Sequence, residues 1–340
     1  MTPDAGSARQ ALRGVALTVL AMGLGVWAVA QSDVGAEAIA DLARQARPLP
    51  LAAALLAMSS GMLFLALRWR ALMPAEVRAR VAVLPLAGIL FVGTLLNYAL
   101  PGPAGEFVAA AIAGRRFGMP SEVALAASMH GRFIGLAMAG VVAGALYIAA
   151  EMPVPPDLRP WIGMATLGVT ALSLSLAWFS ARPGLLRRVA DATTGRFAWL
   201  ERVHAPVARL ADALGGGGSL GAEAWARAAG WALAGHALVI VGTGLAAVAF
   251  GGVPDPAGLA FTYAMATAGA IVLFAFPGSQ VGWDASFTSL LVTTAGLSLP
   301  QALATAMVVR VQQLVVVAIG AVALLRGAIP PTDGAARAEG

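Results

Sequence analysis

The sequence predicts an all-α polytopic membrane protein, with about eight long transmembrane helices and two short interrupted helices. Two observations carry this prediction. Of the 340 residues, 59% are hydrophobic and only 11% are charged, whereas a soluble domain is about 25% charged. Apolar runs close to the roughly 20 residues that a spanning helix needs recur along the chain. These runs lie at roughly 14–30, 49–70, 81–100, 121–150, 161–180, 225–250, 258–276 and 300–327.

The charge balance excludes several functional classes. The net charge is +5, but the arginines are spread over the predicted loops, which fits membrane topology better than a nucleic-acid-binding patch. Because the chain has no cysteine, disulfides, thiolate chemistry and Cys-ligated metals are excluded. We therefore expect no nucleic-acid partner, no cofactor and no metal.

The chain is expected to form one transmembrane domain over residues 1–330, followed by a disordered tail at 331–340. Its first apolar run, 14–30, could pass for a signal peptide, but it is long for one and seven further runs follow, so an uncleaved helix is expected. The longest stretch between runs, 181–224, repeats apolar residues near helical spacing among arginines and acids. This pattern predicts amphipathic helices at the lipid headgroups or, alternatively, a solvated helical connector.

Two parts of the chain, 81–150 and 258–327, resemble each other. Gly118–Arg132 aligns without a gap on Gly296–Arg310. Each half reads as a long helix, a Pro-Gly break, a short segment, a turn and a long helix that carries an arginine. Paired interrupted segments in the two halves of a transporter indicate its binding site. The sequence therefore predicts two pseudo-symmetric repeats.

The breaks determine the topology of these repeats. Proline removes a backbone donor and glycine tolerates the turn that follows, and irregular backbone survives at membrane depth only where protein or a water-filled cavity shields it. The breaks are Pro101-Gly102 and Pro277-Gly278, and the short segments cover about 102–114 and 278–294. The short segments either re-enter on one side or cross the membrane.

Arginine placement favours crossing, which makes the halves inverted copies. With the N-terminus inside, the arginines at the end of the second apolar run and just after it lie on the inside, as the positive-inside rule requires. Those arginines are Arg68, Arg70, Arg78 and Arg80. Only if both short segments effectively cross does the arginine-rich stretch 181–224 also fall inside.

Each half also supplies one acid and one arginine to the membrane interior, Glu106 with Arg132 and Asp284 with Arg310. A charge at mid-bilayer costs at least about 2.5–3.5 kcal/mol, so these groups are expected to face one cavity and to compensate one another, within or across halves. Short segments that begin as helices after the breaks would point free N–H groups at the same cavity, where they favour anions such as a lipid phosphate. The alternative is a pair of structural ion pairs that touch no substrate.

Further polar residues in these segments could line the cavity. Asn97, Gln280 and Trp283 are candidates, although capping of loose backbone is an alternative for each. His130 and His236 lie in apolar helices, where an interhelical hydrogen bond explains a histidine better than a proton relay does.

Three motifs carry a family resemblance: ALRWRALM at 66–73, LNYALPGPAGE at 96–106 and FPGSQVGWD at 276–284. With them, nearly the whole chain resembles the lysylphosphatidylglycerol synthase transmembrane-region family, also called flippase-like integral membrane proteins. The resemblance implies an all-helical membrane domain, and some members are implicated in moving lipids between leaflets. The best-known members carry an additional soluble aminoacyl-transferase domain, which this chain is expected to lack.

The chain departs from the family pattern where the family often has arginine. Pro103, Ala110 and Trp283 occupy three such positions. Asp284 occupies the position where the family usually has glutamate, and Ser279 and Gln280 interrupt the usual glycine pattern of the second motif. These departures imply a less anionic, or simply different, lipid.

Three functions fit the sequence. The first is a lipid or lipid-linked-glycan translocase without covalent chemistry, in the bacterial cytoplasmic (inner) membrane, with phospholipids or polyprenyl-linked lipids as partners. The second is a scaffold or accessory subunit of a lipid or glycan synthesis enzyme. The third is a membrane enzyme that uses Glu106 or Asp284 as a base on a lipid headgroup.

Overall fold

The fold was analysed in a computed structural model that describes residues 36–99, 104–193, 211–212, 214–215, 220–273 and 279–325. Within these ranges the regular structure is helical. The helices are α1 Ala36–Gln45, α2 Pro48–Ala71, α3 Ala75–Arg80, α4 Val83–Ala99, α5 Ala104–Phe117, α6 Ser121–Ala149, α7 Arg159–Ser180, α8 Pro183–Thr193, α9 Ala222–Ala249, α10 Pro256–Leu273, α11 Ser279–Thr293 and α12 Leu299–Leu325. The predicted helix at 14–30, the tail at 331–340 and the breaks Pro101, Gly102, Pro277 and Gly278 lie outside the described residues.

Five of these helices, α2, α6, α7, α9 and α12, are long and apolar enough to cross a membrane, with a mean hydropathy of 1.6 to 1.9 over their most apolar windows. The chain is therefore an all-helical membrane protein. The expected count of eight long helices is not reached among the described residues. The runs predicted at 81–100 and 258–276 form α4 and α10, of which the structure describes 17 and 18 residues.

The helix starts follow from local sequence signals. Proline occupies the start of α2, where its missing N–H group costs no hydrogen bond. Glu122 and Glu223 lie in the first turns of α6 and α9, where a carboxylate complements the helix dipole.

The centre of the bundle is the antiparallel pair α2 and α9. Gly61 faces Val239, and Gly242 lies so close to α2 that an added Cβ would stand 3.0 Å from the carbonyl oxygen of Ala54. Small residues let helices approach closely where lipid, rather than water, surrounds them.

Helices α4 and α5 form a tight antiparallel hairpin, in which Gly93 packs against Gly105 and Ala109. Helices α10 and α11 form a second hairpin, closed by a 2.7 Å hydrogen bond between the hydroxyls of Thr262 and Thr294. Each hairpin is followed by a turn glycine with positive φ, Gly118 at 63° and Gly296 at 71°, a conformation that glycine adopts without steric cost.

The two hairpins enter the bundle from opposite ends. Trp69 Nε1 donates a 2.9 Å hydrogen bond to the carbonyl of Ala124, so the end of α2 and the start of α6 share one end, from which α4 and α5 also enter. The backbone N–H of Asp255 donates a 2.9 Å hydrogen bond to the carbonyl of Ala295, which joins the start of α10 to the exit of α11 at the other end. The backbone N–H of Arg47 contacts Ala249 at that same end.

We call the first of these ends the arginine-rich end. Its arginines are Arg70, Arg78, Arg80, Arg115 and Arg116. Because α6 leaves this end and α7 returns to it, α8 lies there too and packs against α7. In the predicted amphipathic segment, Leu214 packs into the apolar core; the position of this segment at the headgroups stays a prediction.

Candidate functional site

The first predicted acid–arginine pair is formed. Arg132 Nη2 lies 2.6 Å from Glu106 Oε1. Glu106 is the third residue of α5, and Arg132 is the twelfth of the 29 residues of α6. Since α6 is about 43 Å long, the pair lies near the middle of a membrane-spanning helix. The carboxylate is the enclosed partner, with 12% of the side chain exposed against 35% for Arg132.

The second carboxylate oxygen of Glu106 has no hydrogen-bond partner among the described residues. Oε2 is buried and accepts no hydrogen bond in the described part of the chain. An unpaired buried acceptor of this kind costs about 1–3 kcal/mol, and more when it is charged. Oε2 is therefore an acceptor that no donor among the described residues satisfies.

Asn97 caps the helix that carries Glu106. Its Oδ1 accepts a 2.8 Å hydrogen bond from the backbone N–H of Gly105, in the first turn of α5. The sequence left open whether Asn97 lines a cavity or caps loose backbone, and this bond shows that it caps. It also occupies one of the N–H groups that the sequence offered to an anion.

The second pair joins α11 to α12. Arg310 donates from Nε to Asp284 Oδ1 at 2.8 Å, and its Nη2 lies 2.7 Å from the same oxygen. Arg310 is the twelfth residue of α12, as Arg132 is of α6. Here the arginine is the enclosed partner, with 11% of its side chain exposed against 39% for Asp284.

Further groups hold Arg310 in place. Its Nη1 donates a 2.5 Å hydrogen bond to Gln313 Oε1. The guanidinium also lies over the ring of Trp283, 5.2 Å from its centroid, and Trp283 stacks on Phe287 at 4.7 Å. The cavity residue predicted at position 283 thus supports the arginine. Gln280 lies in the first turn of α11, and its role as a cavity residue stays a prediction.

Trp283→Leu is expected to lower the free energy of unfolding by about 2–3 kcal/mol, because it removes a cation–π contact and an aromatic stack. The loss is measured by unfolding in mixed detergent micelles. Trp161→Leu is the control, since Trp161 lies on α7 with 68% of its surface exposed. Equal stability of the two variants would contradict a supporting role for Trp283.

The structure adds Arg68 to the site. The positive-inside rule grouped it with the inside arginines and did not assign it to the site. It lies in the last turn of α2, and a Cβ on Gly135 would overlap its Nη1 atom. Helical side chains tilt toward the N-terminus of their helix, which for α2 is the direction of the membrane interior. The sequence does contain a signal for this placement, since Arg68 falls in the last turn of an apolar run and not in the loop after it.

A chain of hydrogen bonds fixes the helices around Arg68. His236 Nε2 lies 2.9 Å from the carbonyl oxygen of Gly135, and its Nδ1 lies 3.2 Å from the Tyr263 hydroxyl. A carbonyl only accepts, so Nε2 carries the proton and Nδ1 accepts from Tyr263. His236 therefore makes the interhelical hydrogen bonds that the sequence favoured over a proton relay.

A groove of about 860 Å³ lies elsewhere, between α6, α7 and α9. Its walls are mostly apolar, and Arg182 stacks on Trp178 at its rim, 4.4 Å from the ring centroid. None of the predicted site residues lines this groove. The expectation that both ion pairs face one shared cavity stays a prediction.

Comparison with known proteins gives one finding. The family model described as Lysylphosphatidylglycerol synthase TM region matches residues 14–320. Searches of curated proteins and of solved structures give no match. The matched range includes both ion pairs and Arg68.

Proposed function

The chain belongs to the lysylphosphatidylglycerol synthase transmembrane-region family, and on this premise we propose that it is a translocase for a lipid or a lipid-linked glycan. The observation that carries the proposal is the pair of acid–arginine contacts placed near the middle of two membrane-spanning helices. Ionisable groups at this depth are costly and mark substrate pathways by default. A headgroup that crosses the bilayer needs such polar contacts halfway.

We propose further that the halves are inverted repeats. The hairpins α4–α5 and α10–α11 enter from opposite ends, and the long helices that follow carry their arginines at the same twelfth position. Helix α4 packs against α12 of the other half, and α10 packs against α6, so exchanging the halves reproduces the contacts. Inverted repeats support alternating access by the rocking of one repeat against the other.

In this mechanism the protein performs no covalent chemistry. Glu106 and Asp284 compensate charge, and Arg132 and Arg310 contact the headgroup. Their exposures support this division only in the first half, where the arginine is the open partner; in the second half the acid is more open. The two halves thus present different groups to a substrate, as two conformations of one repeat would.

We place the protein in the bacterial inner membrane, with the arginine-rich end in the cytoplasm. The basis is the excess of arginine that cytoplasmic loops carry. Accessibility of single cysteines, introduced into the cysteine-free chain near Arg115 and near Pro254, to an impermeant reagent on intact cells measures this orientation.

The function is tested by reconstitution into vesicles with acyl-labelled fluorescent lipids and an impermeant quencher. Protein-dependent leaflet exchange is expected, and Glu106→Gln and Arg132→Ala should each slow it by about tenfold or more, a barrier increase of about 1.4 kcal/mol. The control is Glu223→Gln, which breaks the exposed 2.8 Å pair of Glu223 with Arg227 and should leave the rate unchanged.

Two outcomes reject parts of the proposal. Unchanged exchange in both site variants rejects the assignment of the site. No exchange by the wild-type protein, together with loss of one lipid species from a deletion strain, identifies an enzyme, because a translocase changes the sidedness of a lipid but not its amount.

A further inference from the structure

Arg68 is a charged side chain near the site that belongs to neither of the two ion pairs. Its guanidinium lies against Gly135, the fifteenth of the 29 residues of α6. His236, whose Nε2 atom contacts the carbonyl oxygen of Gly135, is the fifteenth of the 28 residues of α9. Both helices therefore place Arg68 halfway across the bundle, although its own backbone lies in the last turn of α2.

No carboxylate in the described residues pairs with Arg68, and its guanidinium makes no hydrogen bond there. Its charged neighbours are Glu106 and Arg132, which are paired with each other. Among the described residues at this depth, three arginines stand against two acids, which leaves one positive charge in excess. An arginine at mid-bilayer costs at least about 2.5–3.5 kcal/mol, so a purely structural role would be an expensive one.

Two observations indicate which kind of ligand would compensate the excess positive charge. The planar guanidinium matches two oxygens of a phosphate in a bidentate contact. A phosphodiester carries a single negative charge, which balances the excess, whereas a pyrophosphate carries more. The unpaired, buried Oε2 of Glu106 accepts a hydroxyl donor from the same headgroup.

We propose that Arg68 binds the phosphate of the transported lipid, and that this lipid is a phosphodiester whose headgroup offers a hydrogen-bond donor to Glu106. This inference rests on the proposed function and deepens it. Arg132, which is partly exposed beside the same carboxylate, completes the contact, while the network of His236 and Tyr263 keeps Gly135 against the guanidinium.

Gly135→Ala tests the inference without removing a charge. The added Cβ would strike only the Arg68 guanidinium, the far end of a flexible side chain, so α6 folds and the guanidinium shifts. Gly131→Ala is the matched control on the same helix. Its Cβ would lie 3.5 Å from Arg68 Nε and from Leu72 Cδ1, which is ordinary van der Waals contact.

Gly135→Ala should slow the exchange of acyl-labelled phosphatidylglycerol by about tenfold or more, and Gly131→Ala should stay within about twofold of wild type. Arg68→Met should show the same loss with an unchanged or higher melting temperature, because it removes an unpaired intramembrane charge, and Arg68→Lys should restore part of the rate. Acyl-labelled glucosylceramide, which has no phosphate, should not be exchanged.

The outcomes separate this inference from the proposed function. Wild-type exchange that Glu106→Gln abolishes, but Gly135→Ala and Arg68→Met leave intact, overturns the role of Arg68 and keeps the translocase. Absence of wild-type exchange overturns the translocase. In that case, thermal stabilisation by phosphatidylglycerol micelles that depends on Arg68 still supports the phosphate site. If the micelles give no such stabilisation, the phosphate site is overturned as well. Stabilisation by millimolar inorganic phosphate, lost in Arg68→Met and not reproduced by the micelles, overturns the lipid in favour of a free anion.

Discussion

Gly105→Ala is expected to disrupt the first hairpin and to abolish the recovery of folded protein. A Cβ at this position would overlap the carbonyl oxygen of Gly93 and would stand 2.7 Å from Asn97 Oδ1 and 2.8 Å from Asn97 N. These atoms are backbone, or a side chain held by a hydrogen bond to Gly105 itself, so no flexible group can move aside. Separating α4 from α5 would cost about 4–5 kcal/mol, at the upper end for single substitutions.

The loss is measured as the yield of monodisperse protein in detergent and as its melting temperature. Gly88→Ala, on the same hairpin, is the control, because nothing lies within 4 Å of the Cβ it adds; it should gain up to about 1 kcal/mol from helix propensity. Gly258→Ala in the second hairpin should repeat the loss, since its Cβ would overlap the carbonyl oxygen of Thr294. Comparable stability of the Gly105 and Gly88 variants would show that the hairpin tolerates separation.

The hairpins were predictable because their signals are local. A Pro-Gly pair behind a long apolar run interrupts the helix, and the short apolar segments that follow the two breaks are visible in the sequence. The close approach at Gly105 was not predictable, because it depends on which residue of α4 faces α5. That register follows from the tertiary packing of both arms.

The ion pairs, too, were predictable only in part from the sequence. The cost of a lone charge in hydrocarbon predicts that Glu106 and Arg132 find partners, but not whether the partners lie within or across the halves. The structure places each acid against the arginine of its own half. Arg68 was not predicted as a site residue because the positive-inside rule assigns a side of the membrane and takes no account of the direction in which a helical side chain tilts.

Glu106→Gln is the second substitution with a large expected effect. It removes the negative charge that Arg132 contacts at 2.6 Å and that also acts on Arg68. Removing one partner of a buried pair costs about 3–5 kcal/mol, and here it leaves two positive charges, Arg68 and Arg132, acting on each other in the membrane interior. Asp284→Asn should cost less, since Arg310 keeps its hydrogen bond to Gln313 and its contact with Trp283.

A double-mutant cycle separates the pair from its surroundings. If burial of unpaired charge causes the loss, adding Arg132→Gln to Glu106→Gln should recover a large part of the stability, and Arg68→Met should recover part of it from the other side. Unfolding is followed by titration with a denaturing detergent at fixed ionic strength. Strictly additive losses in both combinations would mean that the three side chains do not share one electrostatic environment, and the single excess charge inferred at mid-membrane would then have no physical basis.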